Sequence, residues 1–380
     1  MGMRVSCLQD NLARGLNIVS AAVGKRTSLP VLENILLTTD NGRLQLAATD
    51  TSMGIRAWIG ASVEEDGAIT VSARTLRDLV NTLSVGRVDM EVSVRTQSLH
   101  LSSGASKAQI KGIDAAEFPL MPEPAEEDDT IAIPASILKE SIKMVAFAAA
   151  RDDTRPILTG VLLAYEDDIL TLAAAAGFRL SVREIPIETE YGKSFSLVVP
   201  ARALQEVERV IDPEQDEFAY LSIPADRQQV IFSLTSVDID SRTIDGEFPD
   251  FHAIIPRETP TRTVLDTADF LRAVTRADIF AREANNMVRL SVEPQDGMAG
   301  VIRVTASDQE IGENEGIVDA SIEGDGMEVA FNARYLMDVL KVIRHDNIQL
   351  GTSQQDKPGL ISPVGDETYS HVIMPMHINR

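Results

Sequence analysis

Apolar and polar positions along this chain follow two periods, and the periods change in a fixed order. Ile137, Leu138, Ile142, Val145 and Ala146 recur at the spacing of one helix face, which predicts a helix over residues 136–150. Helices are likewise predicted over 10–23 and 267–283. Alternating or apolar stretches follow each, such as Arg43-Leu44-Gln45-Leu46-Ala47 and Ile169-Leu170-Thr171-Leu172, and read as strands. A second helix then opens at Ser72, Pro200 or Asn332. Ser and Asn accept bonds from the free amides of a first turn, and a proline lacks the N–H that would go unpaired there. More strands close each segment. Two helices among many antiparallel strands per segment is an α+β plan.

The order occurs three times. Ser72-Ala73-Arg74-Thr75-Leu76 returns as Pro200-Ala201-Arg202-Ala203-Leu204 and as Asn332-Ala333-Arg334-Tyr335-Leu336, with the alanines 128 and 132 residues apart. Ile35, Val161 and Val288 head matching apolar strands, 126 and 127 apart. Ile113-Asp114-Ala115-Ala116-Glu117-Phe118-Pro119 is echoed by Ile244-Asp245-Gly246-Glu247-Phe248-Pro249, and the third copy keeps only Met374-Pro375. A period near one third of the 380 residues marks a triplicated unit. The proline-rich stretches 121–129 and 256–262 cannot carry helices and read as linkers. The expected domains are therefore 1–125, 129–255 and 260–380.

Charge changes the picture next. The chain has 35 Lys and Arg against 58 Asp and Glu, a net −23, so its long-range field repels nucleic acid and anionic membranes. The positions of the cations therefore matter more than their number. Lys139 and Lys143 share a face of one predicted helix, as do Arg272 and Arg276. Arg14 is followed by Lys25 and Arg26, and the second helices carry Arg74 and Arg77, Arg202 and Arg209, and Arg334, Lys341 and Arg344. Three copies around an axis would gather these helices on one surface that holds DNA by its phosphates without reading bases.

Other chemistry is sparse. The single cysteine, Cys7, leaves no internal disulfide and no multi-cysteine metal site. No apolar run approaches the ~18–20 residues of a membrane span, and the first residues lack a secretory core, so a cytoplasmic protein with no membrane partner is expected. There is no Gly-x-Gly-x-x-Gly or P-loop, no paired histidines on a helix and no nucleophile motif. Asp238 and Asp240 flank Ile239 and so share a strand face; they read as solvated acids rather than as metal ligands. No cofactor, metal or catalysis is expected.

Gly24-Lys25-Arg26-Thr27-Ser28-Leu29-Pro30-Val31-Leu32, Ile244-Asp245-Gly246-Glu247-Phe248-Pro249-Asp250-Phe251 and Val372-Ile373-Met374-Pro375-Met376 together resemble the bacterial sliding clamps, the beta subunits of DNA polymerase III. The resemblance runs over the whole chain. It implies three repeated DNA-clamp domains per chain, each chain being half of a head-to-tail dimeric ring. It further implies a processivity factor without catalysis, which encircles double-stranded DNA and tethers the polymerase III catalytic subunit. A clamp loader would open the ring, and repair polymerases and mismatch-repair proteins would share its peptide pocket. The rival reading is a three-repeat protein-binding scaffold that never encircles DNA.

By the same resemblance, DNA contacts fall on Arg26 and Arg155, and from helix position on Arg74, Arg202, Lys139 and Lys143. The partner-peptide pocket is lined by Leu158, Ala175, Gly177, Phe178, Arg179, Leu180, Pro249, Ile254, Val372, Met374, Pro375 and Met376. Methionine suits such a wall, being flexible and polarisable. The dimer seam takes Ile279 and Phe280, opposite Ala108 of the other copy. The chain departs from the family where Thr-Asp-Gly-His-Arg-Leu is usual and Ala175-Ala176-Gly177-Phe178-Arg179-Leu180 stands here, which makes the pocket more apolar. Within the chain itself, Ala176 stands where the other repeats carry Asp50 and Asp308.

Overall fold

The computed structural model describes residues 2–25, 27–124, 130–152, 154–187, 192, 194–224, 228–283, 285–295, 297 and 299–377. Among the described residues each third of the chain runs in one order: a strand, a helix, four strands, a second helix and three strands. The helices are α1 (Gln9–Val19), α2 (Ala73–Thr82), α3 (Ala135–Val145), α4 (Ala201–Val210), α5 (Thr267–Ala281) and α6 (Ala333–Val342). The predicted ends of α1 and α3 lie further on because one tight 3₁₀ turn continues each, Ser20–Ala22 and Ala146–Ala148. Ser72 and Asn332 cap α2 and α6 as expected, through bonds to the amides of Thr75 at 3.3 Å and Arg334 at 2.9 Å. Asp266 does the same for α5.

The chain divides into two compact units, and the division passes through the middle repeat. One unit holds a 12-stranded sheet that contains the first repeat's strands and Thr130–Pro134, Phe218–Ser222, Gln229–Ser233 and Val237–Arg242 of the middle one. The other holds a second 12-stranded sheet, with the last repeat's strands and the remaining four middle strands, Gly160–Glu166, Ile169–Ala176, Arg179–Pro186 and Phe195–Pro200. The cause is edge pairing between repeats. The fourth strand of the first repeat, Met53–Glu65, pairs antiparallel with the eighth strand of the middle repeat, with Ile55 opposite Ile239. The fourth strand of the middle repeat, Arg179–Pro186, pairs in the same sense with the eighth strand of the last, Tyr369–Ile373. A strand edge left open would expose a row of unpaired amides and carbonyls, so each repeat covers its neighbour's edge.

Cores lie beneath the helices. In the first unit Leu12, Leu16 and Val19 of α1 are fully buried with Leu44, Leu46 and Ile55. Gly15 permits that approach: a Cβ there would come within 2.5 Å of a Leu46 methyl. In the second unit Phe270, Val274, Leu290, Phe331, Leu336 and Tyr369 form one core.

The first joint corrects one expectation. Asp238 and Asp240 do share a face, but they are buried rather than solvated, at 8% and 9% exposure. Their strand lies between two others, and Met121 and Pro122 cover the face they occupy. Arg56, directly opposite Asp238, approaches its carboxylate at 3.2 Å and donates to the Pro122 carbonyl at 2.7 Å. Burial pushes the Asp240 carboxyl up to about 6, against the opposing pull of Arg56, and raises Asp238 in the same way.

Candidate DNA-facing and partner-peptide sites

Several of the predicted DNA contacts hold helices together. Arg202, near the start of α4, donates to the Asp50 carboxylate at 2.9 Å and to the Ala21 carbonyl at 2.7 Å. Arg209 donates to the Ile18 carbonyl at 3.3 Å. Lys139 donates to the carbonyl of Ile211, just past α4, at 2.7 Å. The last carbonyls of a helix have no partner within it and carry partial negative charge, so cations settle there. Asp50 meanwhile closes its own turn, its Oδ1 accepting from the amides of Ser52 and Met53 at 3.0 Å each. Burial raises its pKa, but the bonds from Ser52, Met53 and Arg202 outweigh that and leave it below the ordinary value. Lys139 and Arg202 are thus committed to neighbouring carbonyls. Lys143 and Arg155 are exposed, and the Arg74 side chain is 89% exposed, with Asp78 at 3.7 Å. Arg26 lies outside the described residues.

The pocket residues gather around the second joint. Leu180 pairs with both Ala175 and Val372, and the Met374 amide donates to the Phe178 carbonyl at 2.9 Å. Leu158 is held through a 2.8 Å bond from the Ala150 amide, and the Arg155 guanidinium lies beside Gly177. Leu180 and Val372 belong to an apolar cluster with Ala175, Ile157, Phe248 and Phe251. Phe178 stands 64% exposed above it. Pro375 and Met376 are half-buried, and the Met376 amide is tied to the Ala330 carbonyl at 2.8 Å. Pro249 and Ile254 face separate hollows, of about 420 and 480 Å³; the first is walled by Val198 and Phe251, the second by Ser353 and Pro358.

Arg179, expected in the pocket, is not part of that cluster. Its side chain is 5% exposed, donates to Asp338 on α6 at 2.7 Å and to the Phe147 carbonyl at 2.5 Å, and lies 4.7 Å over the Tyr335 ring. Sequence reading also missed His371. It is fully buried, with Nδ1 2.6 Å from Ser181 Oγ and its ring 5.5 Å from Phe147. Burial, then the Arg179 charge, lowers its pKa to about 3. The strand around it was the available signal: Tyr369, His371 and Ile373 share one face by spacing, and all three are buried, with Val372 buried on the other face.

The proposed seam residues separate. Ile279 is exposed, whereas Phe280, about 100° further round the helix, packs against the core of the last repeat. Ala108 lies on the eighth strand of the first repeat, Ser106–Ile113, beside Arg4, Asp89 and Lys107. Among the described residues no group of three His, Cys, Asp or Glu could hold a metal ion, and no helix is long and apolar enough to cross a membrane.

A repeat of two helices and eight strands, joined edge to edge with its neighbours, is the architecture of a DNA clamp. Family models for the N-terminal, central and C-terminal domains of the DNA polymerase III beta subunit match residues 3–122, 132–250 and 252–377. The beta sliding clamp of Synechococcus elongatus is 34% identical, across 99% of this chain and 100% of that one. That of Bacillus subtilis is 30% identical, across 98% and 99%. The crystal structure of the Bacillus subtilis sliding clamp superposes with a TM-score of 0.92 at 29% identity, covering both chains fully. That of the Pseudomonas aeruginosa clamp bound to griselimycin gives 0.90 at 26%, also over both full chains. The chain belongs to the DNA polymerase III beta subunit family, the bacterial sliding clamps.

Proposed function

We propose that two copies of this chain close head to tail into a ring that encircles duplex DNA and tethers the replicative polymerase to it. The observation that carries this is the pair of strand edges left over. Both joints within the chain use a fourth strand and an eighth strand. Among the described residues, the eighth strand of the first repeat meets its outer neighbour only at Gly112 and Ile113. The fourth strand of the last repeat, Gly312–Glu323, meets Thr261–Asp266 only over Ala320–Glu323. One chain therefore offers a free eighth strand and a free fourth strand, the two halves of a third joint. Lys107 and Lys111 mark one edge and Glu313, Glu315 and Asp319 the other, so the edges attract.

The ring holds DNA by topology, which lets the net charge of −23 repel DNA outside while weak phosphate contacts inside permit sliding. Arg26, Arg155 and Lys143 supply those contacts without reading bases. The chain performs no catalysis; a clamp loader supplies the ATP-driven opening. The exposed Phe178 and the half-buried Met374, seated over the buried Leu180 and Val372, take short peptides of the polymerase III catalytic subunit, the loader, repair polymerases and mismatch-repair proteins in the cytoplasm.

The test is topological. Labelled protein is loaded onto nicked circular DNA by a clamp loader and ATP, then separated by gel filtration before and after a single restriction cut. Retention on the circle and loss from the cut DNA are expected. Equal retention on both forms sinks the ring.

A further inference from the structure

We infer that Arg74 of one copy pairs with Asp308 of the other and locks the joint between chains. This rests on the ring reading above. The warrant is the first joint, where both partners are visible. There Asp50 uses Oδ1 to close its turn and Oδ2 to receive Arg202 at 2.9 Å. Asp308 holds the equivalent position in the last repeat. Its Oδ1 likewise closes the turn, accepting from the amides of Glu310 at 2.8 Å and Ile311 at 3.1 Å. Among the described residues nothing meets its Oδ2. Arg74 is the second residue of α2, as Arg202 is of α4, and its side chain is 89% exposed, with the solvated Asp78 of its own helix at 3.7 Å. The two half-sites thus stand ready, one in the first repeat and one in the last.

The second joint shows what happens without the acid. Ala176 replaces it, and Arg334, the equivalent arginine, makes no ion pair among the described residues. Its place is filled from the opposite side by Arg179, which reaches Asp338. A second observation agrees. Met53, three residues after Asp50, is 3% exposed inside the first joint, whereas Ile311, three after Asp308, is 50% exposed. A strand of a second copy would cover it. Helix position alone points Arg74 at DNA; the equivalence with Arg202 points it at the seam.

The experiment uses the full chain. Dimer dissociation is followed by sedimentation velocity and by energy transfer between two labelled populations. Arg74→Asp and Asp308→Arg are each expected to raise the dissociation constant about 10- to 100-fold, because like charges then face each other. The double reversal is expected to return it to within about threefold of the parent. Asp308→Asn keeps the oxygen that closes the turn, so its smaller, salt-sensitive loss separates the ion pair from turn damage. A stable dimer indifferent to the single reversals, or a double variant worse than either, overturns the pair and leaves the ring standing. A parent chain monomeric at micromolar concentration overturns ring and pair together.

Discussion

Arg179 and Asp338 meet at 2.7 Å across the second joint, with the arginine on the middle repeat and the acid on the last. In the first joint the polarity is opposite, because Asp50 belongs to the first repeat and Arg202 to the middle one. Arg179 has almost no contact with water, so removing it leaves the Phe147 carbonyl without its donor, while Asp338, a third exposed, turns to solvent. Arg179→Ala should lower stability by about 2 kcal/mol. Arg179→Lys should recover only part of that, since an ammonium neither forks to two acceptors nor stacks on Tyr335. Chemical denaturation of the three proteins side by side measures it.

Asp240 predicts an unusual pH response. Its pKa is raised from 3.8 to about 6 by burial, so the folded chain binds a proton that the unfolded chain releases. Its contribution is fully present below pH 3.8 and lost as pH rises through 6. Asp240→Asn should therefore stabilise the protein by about 2–3 kcal/mol at pH 8 and hardly at all at pH 4. Melting temperatures across that range decide it; a variant less stable than the parent at pH 8 refutes the burial argument.

His371 acts in the other direction. Its pKa falls from 6.5 to about 3, so the folded state keeps it neutral while the unfolded state charges. Its stabilisation is present above pH 6.5 and declines as pH falls from there towards 3. Between pH 6.5 and 5 the loss is about 2 kcal/mol. His371→Asn, which retains a polar partner for Ser181, should flatten the unfolding curve over that interval. An unchanged slope would mean that His371 titrates as an open histidine.

The pocket is tested with a fluorescent peptide of the Gln-Leu-x-Leu-Phe type. Affinity near micromolar, about −8 kcal/mol, is expected, with a loss of at least tenfold in Met374→Ala. Phe178→Ala should weaken binding several-fold, because the ring offers its exposed face to an apolar anchor. No binding by the parent chain would exclude this rim as the peptide site.

The triplication was legible because short motifs fixed it: the alanine–arginine helix starts at Ala73, Ala201 and Ala333, and the terminal prolines. The pairing of repeats was not, since hydrophobic alternation says which face of a strand is apolar and nothing about which strand lies beside it. Asp238 and Asp240 illustrate the limit: their shared face follows from spacing, their burial from Pro122 and Arg56 arriving from elsewhere. Lys139 and Arg202 look like free cations when charges are counted, because the carbonyls of Ile211 and Ala21 leave no mark in the sequence. Arg179 lies in the motif expected to form the pocket, yet successive strand residues turn to opposite faces, so Leu180 joins the apolar cluster of Val372 while Arg179 packs against Asp338 and Phe147.

A chain with two complementary strand edges, one in its first repeat and one in its last, is a monomer with two sticky patches. Head-to-tail contacts of this kind close into a ring only when the rotation per copy divides the circle; otherwise they propagate as a filament. The angle at the two internal joints therefore decides between a closed ring of two and an open polymer. Substitutions at Arg56 or Arg179 that bend those joints should release not single chains but fibres, visible by electron microscopy as threads of concentration-dependent length.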